Sequence, residues 1–292
     1  MSKNHFYILI FFSMLAWGMS WTNMKILYEY IGTKELVFLR YFVSAVASFF
    51  IVLALRLDFK ISKRTLFVSF VAGFITSIYT ALIFIGTSLG TASVAGSFIN
   101  TLSPIVTFVL LVLFFKKKMF KVDVFALFLG FIGSMLILGI WKFDTEKILT
   151  IYNLYFVLGA FLWSVLTILS SFSNAKSPVI FTFYMYLFVA ILSFPFSDIT
   201  SFDFSKTDFR FWANLLCVSV VSTSLATSFF FLGAKQLGSS EVSSFMFLVP
   251  FSSIFCGAIF LGESVSIWMI FGVLLNIFAI YIINRMGYFK GK

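Results

Sequence analysis

The stretch ASVAGSFINTLSPIVTFVLLVLFF, residues 92–115, contains no charged residue and a single proline, Pro104. A run of that length and composition is a membrane span, since about 20 apolar residues cross the hydrocarbon core. Shifted by 146 residues it falls on GSSEVSSFMFLVPFSSIFCGAIFL, residues 238–261, and Pro104 falls on Pro250. The chain has only four prolines, so two in matched places weigh heavily. The same shift pairs Trp17 with Trp163 and Gly133 with Ala279, and twice 146 is the full length of 292. The sequence therefore reads as a duplication, with one repeat at residues 1–146 and the other at 147–292.

Apolar runs on either side of this pair complete the pattern: Phe6 to Met24, Leu36 to Leu55, Leu66 to Ile85, Ala92 to Phe115 and Val122 to Ile140 in the first half. The second half has Leu154 to Phe172, Pro178 to Phe196, Phe211 to Leu232, Val242 to Leu261 and Ile267 to Ile283. With 61% hydrophobic and 11% charged residues, the chain cannot cover a water-soluble core. The expected fold is an all-α integral membrane protein of ten transmembrane helices. Five spans per repeat is an odd number, so the second five-helix repeat enters the bilayer inverted.

Charge supports the inversion. Placing the N-terminus inside puts fourteen of 21 basic residues on the inner face, among them Arg56, Lys60, Lys63, Arg64, Lys116, Lys117, Lys118 and Lys121. Those eight fill two loops of the first half, whereas the matching loops of the second half, Ser197 to Arg210 and Gly262 to Ser266, hold two. Both termini are then cytoplasmic, the loop around Asp144 to Lys147 is external, and the N-terminal run reads as a retained first helix. The net charge of +10 orients the protein in the lipid bilayer and is no sign of nucleic acid.

Several kinds of chemistry lack their parts. His5 is the single histidine, which excludes zinc and Ser-His-Asp arrangements. No glycine loop with Lys-Ser/Thr is present to cradle phosphates, and the spans leave no room for a nucleotide-binding domain. Cys217 and Cys256 sit inside apolar runs and read as packing residues. No cofactor is expected, and no enzyme activity: a lipid-head-group enzyme would need clustered His, Asp or Glu at one interface.

The sequence resembles the EamA-type transporters of the drug/metabolite transporter superfamily. The resemblance rests on Leu237-Gly238-Ser239-Ser240, Leu248-Val249-Pro250-Phe251, Leu261-Gly262-Glu263 and Gly272 in the second half. Ala16-Trp17-Gly18, Phe38-Leu39-Arg40-Tyr41 and Ser103-Pro104 carry it in the first. It implies a metabolite or amino-acid exporter of a bacterial inner membrane. Where the family ends its repeat Leu-Gly-Glu, the first half has Phe115-Lys116-Lys117, so only Glu263 could supply that carboxylate.

Candidate site residues follow from spacing. Ser93, Ser97, Asn100, Pro104 and Thr107 share one helix face, and the 146 shift gives Ser239, Ser243, Met246, Pro250 and Ser253 on another. Read as function, the two stripes line a small-molecule path at the repeat interface; read as architecture, they are close helix packing. Trp17 and Trp163 lie mid-span, away from the interfacial belts; read as function they approach one shared site from both halves and stack on a solute, and read as architecture they fill the bundle core. Tyr79 with Thr76, Ser77 and Thr80, and the group Ser222, Thr223, Thr227 and Ser228, offer weaker hydroxyl faces. Arg40, about one turn into its span, reads as snorkelling to the outer interface, with an anionic substrate group as the alternative partner. Glu241 and Glu263 bound the ninth span. Proton coupling through them stays open, as do monomer against homodimer and a lipid-linked or amphiphilic cargo as the alternative to a small metabolite.

Overall fold

A computed structural model describes residues 3–89, 92–116, 118, 120–138, 151–171, 173, 177–261 and 265–289. Within hydrocarbon every backbone polar group must be satisfied inside its own segment, and this sequence meets that demand with helices alone among the described residues. The first half forms α1 (Lys3–Leu27), α2 (Thr33–Ala54), α3 (Lys63–Leu89), α4 (Ala92–Phe115) and α5 (Lys121–Leu138). The second forms α6 (Ile151–Ser171), α7 (Pro178–Ser193), α8 (Phe209–Leu237), α9 (Ser239–Phe260) and α10 (Ile267–Phe289). Seven of them are long and apolar enough to cross a membrane, and Ile99–Phe115 and Ile267–Ile283 are shorter apolar helices.

The packing carries the signature of the duplication. The main contacts are α1 with α9, α6 with α4, α1 with α8, α6 with α3, α2 with α8, and α7 with α3. Exchanging the halves converts each of these into another of the set. Two further pairs, α2 with α7 and α5 with α10, map onto themselves and so lie on the pseudo-twofold axis. The α5–α10 pair is held by glycine: a Cβ on Gly272 would overlap the Gly133 carbonyl oxygen, and one on Gly133 would lie 2.7 Å from the Gly272 carbonyl oxygen. Only the missing side chains let these backbones approach so closely.

Local sequence explains the departures from regular helix. Ser177 accepts a hydrogen bond from the Val179 amide and Pro178 opens α7, a preferred start because proline has no N–H to leave unpaired. Asp208 caps α8 by accepting from the Phe211 amide, a bond that holds its carboxyl below the usual carboxylate range. Gly238, at φ +97°, turns the chain between α8 and α9 in a region where a Cβ would be strained. A π-helical stretch at Cys217–Ala226 widens α8, and a 3₁₀ segment at Phe245–Leu248 precedes Pro250 in α9.

Phenylalanine is used on both sides of the bundle. Phe12, Phe50, Phe67 and Phe114 point outward, where lipid is the solvent, while Phe181, Phe230, Phe231 and Phe247 are buried between helices. Interior hydroxyls close on their own helix: Thr76 donates to the Ala72 carbonyl, Thr80 to Thr76 and Ser103 to Ile99, each four residues back.

Candidate substrate cavity

Between the halves lies a cavity of about 150 Å³. On α1 its lining runs from Trp17 through Ser20, Trp21 and Met24 to Lys25, with Tyr28 in the turn just beyond, and on α3 from Thr76 through Tyr79 and Thr80 to Ile83. Both runs start near mid-helix and proceed toward the C-terminal end, so among the described residues the cavity extends toward the face where α1 and α3 end. Arg40 and Tyr41 from α2, Met185 and Tyr186 from α7, and Thr223 and Thr227 from α8 form the walls. Asn100, Trp163 and Met246 complete the enclosure from α4, α6 and α9.

At the other face the helices are shut. The Tyr7 hydroxyl donates to Glu241 Oε1 at 2.6 Å, and the Tyr7 ring stacks on Phe245 at 5.7 Å between centroids. The Ser243 hydroxyl donates to Thr107 Oγ1 at 3.3 Å, and Ser239 reaches Ser171 Oγ at 3.1 Å and the Thr167 carbonyl at 3.4 Å. The Ser243–Thr107 and Tyr7–Glu241 contacts thus join the two halves at one end while aromatic rings line the other.

The two matched tryptophans meet. Their rings lie 5.2 Å apart at 83°, edge to face, and Tyr79 lies 5.3 Å from Trp163. Their donors differ: Trp17 Nε1 donates to the Ser222 carbonyl at 3.0 Å, while Trp163 Nε1 is buried with no hydrogen-bond partner among the described residues.

The π-helical stretch supplies the polar wall. Thr223 Oγ1 donates to the Val218 carbonyl five residues back, one more than Thr76, Thr80 and Ser103 reach in their regular helices. Carbonyls on this stretch accept from other helices: Ser219 from Ser44, Ser222 from Trp17 and Thr223 from Tyr186 at 2.7 Å. Arg40 Nε donates to Thr223 Oγ1 at 2.9 Å, its Nη1 lies 3.9 Å from Met24 Sδ, and its guanidinium carbon is 5.6 Å from the Tyr41 ring centroid. Tyr41 in turn shares a 3.0 Å hydrogen bond with Thr80. Arg40 is therefore turned into the cavity wall, where α8 presents an acceptor for it.

Of the residues singled out by sequence, Trp17, Tyr79, Asn100, Trp163, Met246 and Arg40 line this cavity. Ser243 and Glu241 belong to the shut end, and Pro104 and Pro250 are buried in α4 and α9 without being part of the lining. Ser97 lies on α4 with its side chain outside the described residues, and Glu263 lies outside them altogether. Tyr41, Tyr186 and Trp21 were not signalled as lining residues, although Tyr41 stands in the Phe38-Leu39-Arg40-Tyr41 segment.

Comparison with known proteins agrees with this architecture. An "Uncharacterized transporter YyaM" of Bacillus subtilis (strain 168) is 26% identical over 207 residues, covering 69% of this chain and 67% of that protein. An "Uncharacterized transporter YxxF" of the same organism is 24% identical over 232 residues, 78% of this chain and 73% of its own. One solved crystal structure superposes with a TM-score of 0.82 across 100% of both chains at 14% identity, a likeness of fold. The profile of the EamA-like transporter family matches twice, at residues 5–139 and 150–285. The chain is a multi-pass membrane protein of two such repeats, and it belongs to the EamA-like transporter family.

Proposed function

We propose that this protein is a secondary transporter that moves a small organic metabolite, of about amino-acid size, across the inner membrane of a bacterium by alternating access, with export as its net direction. The observation that carries the reading is the one-ended cavity at the repeat interface: inverted-repeat transporters place their substrate at this interface and expose it to each face in turn. The volume fits the size. At about 10–15 Å³ for each water-sized occupant, 150 Å³ holds roughly ten such groups. In this reading the repeats divide between residues 146 and 147, both termini are cytoplasmic and the open end faces outward, as the basic loops at Arg56 to Arg64 and Lys116 to Lys121 favour.

Cysteine accessibility tests it without knowing the substrate. In a background with Cys217 and Cys256 replaced by Ser, Ser20→Cys should react with an impermeant thiol reagent from outside, and Thr107→Cys only from inside. Labelling at one position should fall as that at the other rises. A Thr107→Cys chain that never reacts under any condition, in cells or in inverted vesicles, would reduce the cavity to a static vestibule. Reporter fusions after Ser62, Lys118 and Glu146 should read inside, inside and outside; the opposite set overturns the orientation.

A further inference from the structure

The electrostatics of the cavity say what kind of solute it is built to hold. Arg40 begins about two turns into α2, which starts at Thr33, and its guanidinium is directed into the wall between α1, α2 and α8. A second cation, Lys25, lines the same cavity, and among the described residues no Asp or Glu does. Arg40 has no carboxylate partner there: its Nε is given to a neutral hydroxyl, one terminal nitrogen faces a thioether at long range, and its plane lies near the Tyr41 ring. A guanidinium carries five N–H donors. Those contacts occupy a minority of them, and the groups engaged are neutral.

A charged side chain held within a membrane bundle is costly and is retained where it serves a pathway or finds a counter-charge. Here the protein supplies the cation and the surroundings supply aromatic rings. Trp17, Trp21, Trp163 and Tyr79 present flat apolar surface beside the charged end. Carboxylate and guanidinium match in plane and spacing and form paired charge-assisted hydrogen bonds.

We infer that the cavity takes an organic anion, its carboxylate seated on Arg40 and its apolar or flat body against the tryptophans. The inference rests on the transport reading above and narrows its substrate to a class. Arg40 supplies selectivity by charge, and the rings supply contact that is indifferent to charge. A cationic solute of the same shape meets Arg40 with no carboxylate in the described lining to offset it.

Three probes of similar size and shape separate these contributions: phenylacetate, 2-phenylethylamine and 2-phenylethanol. Each is titrated into the purified full chain in lipid nanodiscs, with binding read as quenching of tryptophan fluorescence and as a rise in melting temperature. Phenylacetate should bind about tenfold or more tighter than the amine, with the alcohol between them, the difference a charge-assisted pair provides. Arg40→Gln should bring phenylacetate and phenylethanol to the same affinity while phenylethanol binds as before, and Arg40→Lys should restore part of the preference. Retained phenylethanol binding shows that the variant is folded, and a purely structural role for Arg40 would not move the ratio. The inference is overturned if the amine binds as tightly as the anion, if phenylacetate does not bind, or if its preference survives Arg40→Gln. None of those results alters the cysteine accessibility pattern, on which the transport reading stands or falls separately.

Discussion

Trp17→Ala and Trp163→Ala should each raise the half-saturating concentration of the transported solute severalfold or more. The two indoles meet edge to face at 5.2 Å at the inner limit of the cavity, and both line it. A stacked ring contact contributes about 0.5 to 1.5 kcal/mol, a factor of roughly 2 to 13 in affinity. The cost to folding is smaller than the ~3–5 kcal/mol of a fully enclosed aromatic truncation, because part of each ring already faces the cavity. Phenylalanine should discriminate between the two positions. Trp17→Phe loses the hydrogen bond to the Ser222 carbonyl, about 0.5 to 1.5 kcal/mol, whereas Trp163 Nε1 has no partner to lose. Trp163→Phe should therefore melt close to the parent and Trp17→Phe below it. Transport kinetics measured beside the yield of monodisperse protein decide the matter: unchanged kinetics with reduced yield in both Ala variants would make the tryptophans packing residues.

Removing the Tyr7 to Glu241 contact should shift the protein toward the form open at the opposite face. A hydrogen bond to a carboxylate contributes about 1.5 to 3 kcal/mol, with the lower end fitting these half-buried partners. One such bond changes the ratio of two conformers by roughly tenfold. In the same cysteine background, Thr107→Cys should label about tenfold faster when Glu241 is replaced by Ala. Tyr7→Phe keeps the stacking on Phe245 and removes the donor, so its effect isolates the hydrogen bond. Glu241→Gln keeps an acceptor without the charge and should fall between. Equal labelling rates in all four proteins would show that the latch lies elsewhere, in the Ser239 and Ser243 contacts.

The bundle was legible in the sequence because membrane spans announce themselves by length and composition, and the 146-residue shift supplied the symmetry. The site was legible in part, and the α4 and α9 stripes show why. Helical periodicity identifies a face but says nothing about depth along it. Asn100 and Met246 fall where the cavity is, while Ser243, one turn away from Met246 on the same face, closes the other end against Thr107. Tyr186 gave no usable signal and Tyr41 none beyond its place in Phe38-Leu39-Arg40-Tyr41, since in a chain that is 21% aromatic another ring in a span carries little information. The inward turn of Arg40 depends on Thr223, and the placement of Thr223 depends on the π-helical stretch, which a pattern of apolar residues does not encode.

That stretch also leaves slack in the chain. A regular helix advances 100° per residue, so deleting one residue from α3 rotates everything beyond it by that angle and carries Tyr79 and Thr80 off the cavity. A π turn holds more residues than an α turn of the same helix. Removing one residue from Cys217–Ala226 can draw on that surplus, returning a wide turn to ordinary pitch while the flanks Phe209–Leu216 and Thr227–Leu237 keep their faces. Of the spans described, α8 is therefore the one whose length can drift by a residue without dismantling its neighbours. The cost would fall on the carbonyls of Ser219, Ser222 and Thr223, which hold Ser44, Trp17 and Tyr186. A one-residue deletion there should yield folded protein with altered transport, where the same deletion in α3 yields none.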